Sequence, residues 1–197
     1  EGVAHHMLSV GSPHEQFSVS RYVDMAAECT DVILRRSKIP FLVGGTGLYI
    51  DSLISGRNFA GTTEDKDLRR TLSEKYDALG GEKMLEMLAK LDPERASRLH
   101  PNDKKRIVRA FEVIELTGRT LSEHDRETQL APKRYDALKI VLTFKDREDL
   151  YRRIDLRVDM MMEAGLLDEV RSLLDSGLSP ESTAMQAIGY KELVAAI

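Results

Sequence analysis

Val19, Tyr22, Val23, Ala26, Thr30, Ile33 and Leu34 fall at helical spacing. They predict an amphipathic helix that opens at Ser18, whose side chain can accept the first free N–H groups, and closes near Arg36. Arg35, Arg36 and Lys38 stand where the negative end of that helix would be. The period then breaks. Residues 39–43 are almost wholly apolar and rich in β-formers, which predicts a buried parallel strand with Pro40 at its start, where a missing donor is tolerated. A helix over 48–55 follows, stopped by Gly56, and residues 3–10 read as a further short strand. Helix, strand, glycine turn and helix is the order of a doubly wound α/β sheet.

After a loop at 56–65 the pattern is helical alone. Helices are expected over about 65–79, 82–91, 93–99, 103–117 and 121–129, separated by Gly80-Gly81, Asp92-Pro93, His100-Pro101-Asn102-Asp103 and Gly118. Residues 138–144, Leu-Lys-Ile-Val-Leu-Thr-Phe, predict a second buried strand. A long helix over 146–164, one over 167–176 and a last one from Thr183 complete the chain. The expected architecture is therefore α/β, a parallel sheet split by a helical insertion. Its boundaries are 1–57 for the first part of the core, 58–137 for the insertion and 138–197 for the second part with C-terminal helices.

Composition narrows the classes. The chain has 197 residues, 42% hydrophobic and 31% charged, which suits a globular core. A net charge of −4 confines any nucleic-acid surface to a local patch. The single cysteine, Cys29, excludes an internal disulfide and reads as a small core residue in a reducing cytosol. No apolar run is long enough to span a bilayer, so no membrane association is expected.

Three features carry candidate chemistry. Gly44-Gly45-Thr46-Gly47 lies between the 39–43 run and the next helix. Glycines there would let backbone approach a phosphate at a helix N-terminus, and Thr46 would add a hydroxyl donor. The other reading is a tight turn that needs positive φ. No Walker A string, with its lysine, exists in the chain, so the countercharge would come from elsewhere. Second, Leu150, Ile154, Val158 and Met161 form an apolar stripe; Arg157 falls inside it, with Arg147 and Arg153 near it. An inward guanidinium requires an anionic partner, either a carboxylate of the chain or a bound phosphate. Third, Lys104, Lys105, Arg106 and Arg109 gather in the first turns of a helix, against its dipole. They read either as an ordinary solvated face or as a site for a phosphate backbone, plausibly RNA. His5 and His6 would point to opposite faces of a strand, so no histidine metal site is expected.

Five strings occur together and in order: "HHMLSVGSPHEQFSV", "IPFLVGGTGLYIDSL", "RLHPNDKKRIVRAFEV", "DREDLYRRIDLRVDMMMEAGLLDEV" and "AMQAIGYKEL". In this the chain resembles the tRNA dimethylallyltransferases over nearly its whole length. The resemblance implies a P-loop NTPase-like α/β core with an inserted all-helical domain. It implies transfer of a dimethylallyl group from dimethylallyl diphosphate to N6 of the adenosine immediately 3′ of the anticodon, with Mg²⁺. Thr46 would be catalytic, contacting the diphosphate beside its bridging oxygen. Arg153 and Arg157 would bind the diphosphate. Arg69, the segment Lys105, Arg106, Ile107, Val108 and Arg109, and the segment Gln186, Ala187, Ile188, Gly189, Tyr190 and Lys191 would contact the tRNA anticodon stem-loop. The protein is expected to be a cytoplasmic monomer, with no metal ligands in this chain. Ala4 and Ser9 stand where the family usually has Pro and Asp. The family's phosphate loop and general-base Asp precede Glu1, and its last basic helix follows Ile197, so the 197-residue chain is expected to be inactive alone. The competing readings are a P-loop nucleotide kinase and a non-catalytic RNA-binding module.

Overall fold

The computed structural model describes residues 2–57, 59 and 65–197. Its regular elements, in order, are α1 (Val19–Arg35), α2 (Gly47–Ser55), α3 (Lys66–Leu79), α4 (Gly81–Leu91), α5 (Pro93–Ala96), α6 (Lys104–Thr117), α7 (Leu121–Leu130), α8 (Arg147–Glu163), α9 (Leu166–Asp175), a 3₁₀ turn (Ala184–Gln186) and α10 (Tyr190–Ala196). The chain divides into two compact units, one of residues 1–42 with 137–197 and one of residues 43–136.

The α/β sheet expected from the sequence is overturned: among the described residues there is no strand. Residues 39–43 and 138–144 have no regular structure, and their apolar side chains stand in solvent, with Val43 90% and Leu142 92% exposed. An apolar β-forming run supplies only a preference for extended backbone. A strand exists through ladder bonds to neighbours, and these segments have no such neighbours among the described residues. Residues 3–10 fail for a local reason: Met7 and Ser9 hold φ of 63° and 51°, in the left-handed region. The parallel sheet of a P-loop NTPase-like core therefore has no counterpart among the described residues.

The helices match their local chemistry closely. The Ser18 hydroxyl accepts from Arg21 N–H at the start of α1. Gly56 and Gly118 end α2 and α6 with φ of 64° and 69°, which only glycine adopts at little cost. Thr120 and Glu123 form a reciprocal capping box on α7. The last helix starts at Tyr190 rather than Thr183, because Gly189 at φ 91° separates it from the 3₁₀ turn.

In unit 43–136, α3, α4, α5 and α6 close around Leu72, Met84, Leu88, Ala96, Ile107, Val108, Ala110 and Phe111. In the other unit a smaller cluster of Val170, Leu178 and Met185 is covered by Leu173, Tyr190, Leu193 and Val194. Asp92 is a buried polar keystone of the first unit. Its Oδ1 accepts from Arg95 N–H at 3.0 Å, capping α5, and its Oδ2 accepts from Ser122 N–H at 3.1 Å, which ties α7 down.

Burial pushes the Asp92 carboxyl up, but the hydrogen bonds from Ser122 and Arg95 outweigh it and hold the group below its usual value. A depressed folded-state pKa stabilises the fold above the unfolded value and ceases to do so as pH falls through the folded one. Asp92→Ala is expected to lower stability in urea by about 1–3 kcal/mol at neutral pH. The difference from the parent should narrow below about pH 4, where the carboxylate protonates in the unfolded chain.

Candidate functional site

The Gly44–Gly47 segment leads directly into α2. Thr46 is the residue before the helix, at φ −91° and ψ 96°, and its carbonyl accepts from Tyr49 N–H at 3.1 Å and Ile50 N–H at 3.3 Å. Its hydroxyl makes no capping bond. None of Gly44, Gly45 and Gly47 has positive φ, so the tight-turn reading does not account for them. A Cβ added at any of the three would meet nothing within 4 Å. Neither backbone strain nor internal packing therefore requires glycine here. The three glycines leave the backbone before α2 open, at the end of the helix where N–H groups lack intrahelical acceptors.

The α6 cations are held in a definite way. Lys104 Nζ donates to both Asp77 carboxylate oxygens at 2.6 Å and lies 5.6 Å from the Tyr76 ring centroid. Lys105 and Arg106 are exposed, and Arg106 reaches Asp103 only at 3.9 Å. Arg109 NH1 donates to Glu112 Oε2 at 2.7 Å. Arg69, from α3, spans both oxygens of the same carboxylate, its NH2 at 3.0 Å and 2.9 Å and its Nε at 3.3 Å. Glu112 itself is fully buried. Ile107 and Val108, which the resemblance places at the tRNA, have their side chains in the core.

In the other unit, Arg153 and Arg157 stand one turn apart on α8 and both are exposed. The inward stripe expected there is corrected: no residue of α8 is buried, so desolvation does not demand an anion at Arg157. Beyond α9, Gln186, Ala187, Ile188 and Lys191 are exposed around Gly189. Gly189 holds φ of 91°, where any other residue would be strained, and a Cβ there would sit 3.2 Å from Leu166 Cδ2, a tight approach to which the leucine would have to yield. Tyr190 donates its hydroxyl to Glu169 Oε1 at 2.7 Å. Burial, then that carboxylate, pushes the phenol up to about 12, so it stays neutral at physiological pH. Thr46 belongs to one unit and Arg153 and Arg157 to the other. Among the described residues no group of three or more His, Cys, Asp or Glu could hold a metal ion.

Sequence reasoning missed the carboxylates that order the cations. Glu112 lies one turn after the buried Val108, on the core stripe of α6, and that register was the available signal. Asp125 likewise gathers Arg57 and Arg95, the latter at 3.3 Å. No periodicity marks Asp125 as their meeting point.

Two outcomes follow for stability. Thr46→Ala and Gly45→Ala should leave the urea midpoint unchanged, within about 0.5 kcal/mol, because the fold uses neither the hydroxyl nor the missing Cβ. Spectrophotometric titration should show one tyrosine ionising near 12, absent in Tyr190→Phe. Its folded pKa is raised, so the stability it supplies is complete below about 10 and is lost as pH rises through about 12.

The family model described as IPP transferase matches residues 1–197. A tRNA dimethylallyltransferase of Heliobacterium modesticaldum is 44% identical over 193 residues, covering 98% of this chain and 60% of the relative. One from Thermoanaerobacter sp. is 41% identical over 196 residues, covering 98% of this chain and 62% of the relative. Among solved structures, the full-length tRNA isopentenylpyrophosphate transferase from Bacillus halodurans aligns at a TM-score of 0.61 and 38% identity, over 99% of this chain and 59% of that one. A eukaryotic dimethylallyltransferase acting on tRNA aligns at a TM-score of 0.70 and 29% identity, over 99% of this chain and 50% of that one. The chain thus spans about three-fifths of the length of these bacterial relatives. With the whole chain matched and the five strings in their order, it belongs to the IPP transferase family.

Proposed function

We propose that the chain serves in prenyl transfer to tRNA, moving a dimethylallyl group from dimethylallyl diphosphate to N6 of the adenosine immediately 3′ of the anticodon. The observation that carries this reading is the family match over all 197 residues. It favours prenyl transfer over phosphoryl transfer and over a purely RNA-binding role. In the reaction the C1–O bond of the donor breaks, the N6–C bond forms, diphosphate departs and N6 loses a proton. The Thr46 hydroxyl, unused by the fold, is suited to donate to the bridging oxygen as negative charge gathers there. The open glycines beside it would let the leaving group approach the backbone. Arg153 and Arg157, exposed on one line of α8, would bind the diphosphate. The family resemblance implies Mg²⁺, but the described residues offer no group of three or more His, Cys, Asp or Glu to hold it.

For the acceptor, Lys105, Arg106, Arg109 and Arg69 offer cations on α6 and α3. Gln186 to Lys191 offers a polar and apolar edge suited to an unstacked loop base. The side chains of Ile107 and Val108 would support this surface from below rather than touch RNA. The protein would work as a monomer in the cytoplasm; no helix among the described residues is long and apolar enough to cross a membrane.

The test is binding of a fluorescent anticodon stem-loop carrying that adenosine, followed by anisotropy across a salt series. Affinity should fall steeply with salt. Lys105→Ala and Arg109→Ala should each weaken binding several-fold and reduce the log–log salt slope by about one. Binding that is absent, or indifferent to salt and to both substitutions, would remove tRNA as the partner.

A further inference from the structure

We infer that Glu112 is a positioning residue that fixes the guanidinium groups of Arg69 and Arg109 as one rigid pair for backbone phosphate. The ligand in this inference rests on the tRNA reading above; the positioning does not. Glu112 is 0% exposed, whereas the side chains of Arg69 and Arg109 keep 39% and 38% of their surface in solvent. The carboxylate is thus hidden and its two cations are not. Arg69 comes from α3 and Arg109 from α6, so one buried acceptor sets two cationic heads on different helices. Arg69 engages it through two N–H groups in fork geometry and Arg109 through one, at 2.7–3.3 Å. The trio carries one net positive charge, and Lys105 lies one turn before Arg109 on the same helix.

Stability alone is a poor reason for this arrangement, since a buried ion pair is often no better than well-packed apolar residues. Bulk electrostatics is no better, because an anion under a nucleic-acid surface repels the ligand. Preorganisation accounts for both. A long arginine loses rotamer freedom when it grips a phosphate, and one already held loses less. The fork also fixes the plane in which each guanidinium meets its ligand.

The opposing signs of these effects give the test. Glu112→Gln keeps the side chain's size and an acceptor but removes one negative charge from a protein of net −4. A general charge effect would tighten stem-loop binding. Positioning predicts binding weaker by about fivefold, and a double-mutant cycle with Arg69→Ala in which the two losses do not add. Independently of RNA, the resonances of the N–H groups that face Glu112, the Arg69 Nε–H and the Arg109 Nη1–H, assigned through Arg69→Lys and Arg109→Lys, should be dispersed and slow to exchange in the parent. In Glu112→Gln both should shift and exchange faster than in the parent. If Glu112→Gln does not fold, Glu112→Asp replaces it: the charge is kept, the carboxylate is withdrawn by one methylene, and binding should still weaken. A folded variant that binds as tightly as the parent, or unmoved arginine resonances, overturns the inference. A parent that binds no stem-loop counts against the tRNA reading instead, and the arginine resonances then decide the positioning role alone.

Discussion

Helix α6 has to satisfy two demands that pull apart. Ile107, Val108, Ala110, Phe111 and Val113 make it a central wall of the helical core. Its first turns carry Lys104, Lys105, Arg106 and Arg109, where the helix dipole disfavours cations. Glu112, buried on the core side, offsets part of that cost by binding Arg109 from its own helix and Arg69 from α3. The same contact joins α3 to α6, so one carboxylate both adds to the apolar packing of the helical unit and sets the disposition of its cations. Removing its partners would strand a buried charge, at a cost of about 3–5 kcal/mol.

The carboxylate network also shows what a sequence reveals and what it hides. Helix boundaries were legible because their signals are local: Ser18, Thr120 with Glu123, Gly56 and Gly118 act on backbone a few residues away. The cationic character of α6 was legible for the same reason. Its ordering was not, because Arg69 and Glu112 are 43 positions apart and meet only once α3 packs on α6. Gly189 illustrates both sides. Its place in "AIGYKEL" marks it, but the tight approach that a side chain there would make is to Leu166, 23 positions away on α9.

The sheet was misread because burial was inferred from apolarity. Residues 39–43 and 138–144 have the composition of inner strands, and α8 has a stripe at helical spacing. None of the three is buried: the two extended runs stand largely in solvent with no ladder among the described residues, and on α8 Ile154 and Val158 are exposed while Leu150 and Met161 are half-buried. A pattern of hydrophobic positions states which face would gain from leaving water; it does not supply the surface that covers it. The argument that Arg157 needed an anion depended on that covering surface. Once α8 is seen to be exposed, the role of Arg157 in the proposed chemistry rests on its place in the family motif rather than on desolvation. Thr46 stands differently, since the open space at its neighbouring glycines is a property of the structure itself.

On the proposed tRNA reading, a chain of net charge −4 would offer RNA its cations only as local patches, and the ion pairs sort those of α3 and α6. Lys104 is largely taken by Asp77 at 2.6 Å. Arg69 and Arg109 share one buried anion, which lowers their combined charge but fixes their heads. Lys105 and Arg106 are exposed, with a long 3.9 Å approach from Asp103 to Arg106. The surface therefore divides the work. On that reading the exposed Lys105 and Arg106 would supply salt-sensitive attraction, while the clamped arginines would supply direction. With little total charge to draw on, geometry has to contribute what bulk attraction cannot. That is why a buried acid beneath a nucleic-acid surface, unfavourable by charge alone, is consistent with binding rather than opposed to it.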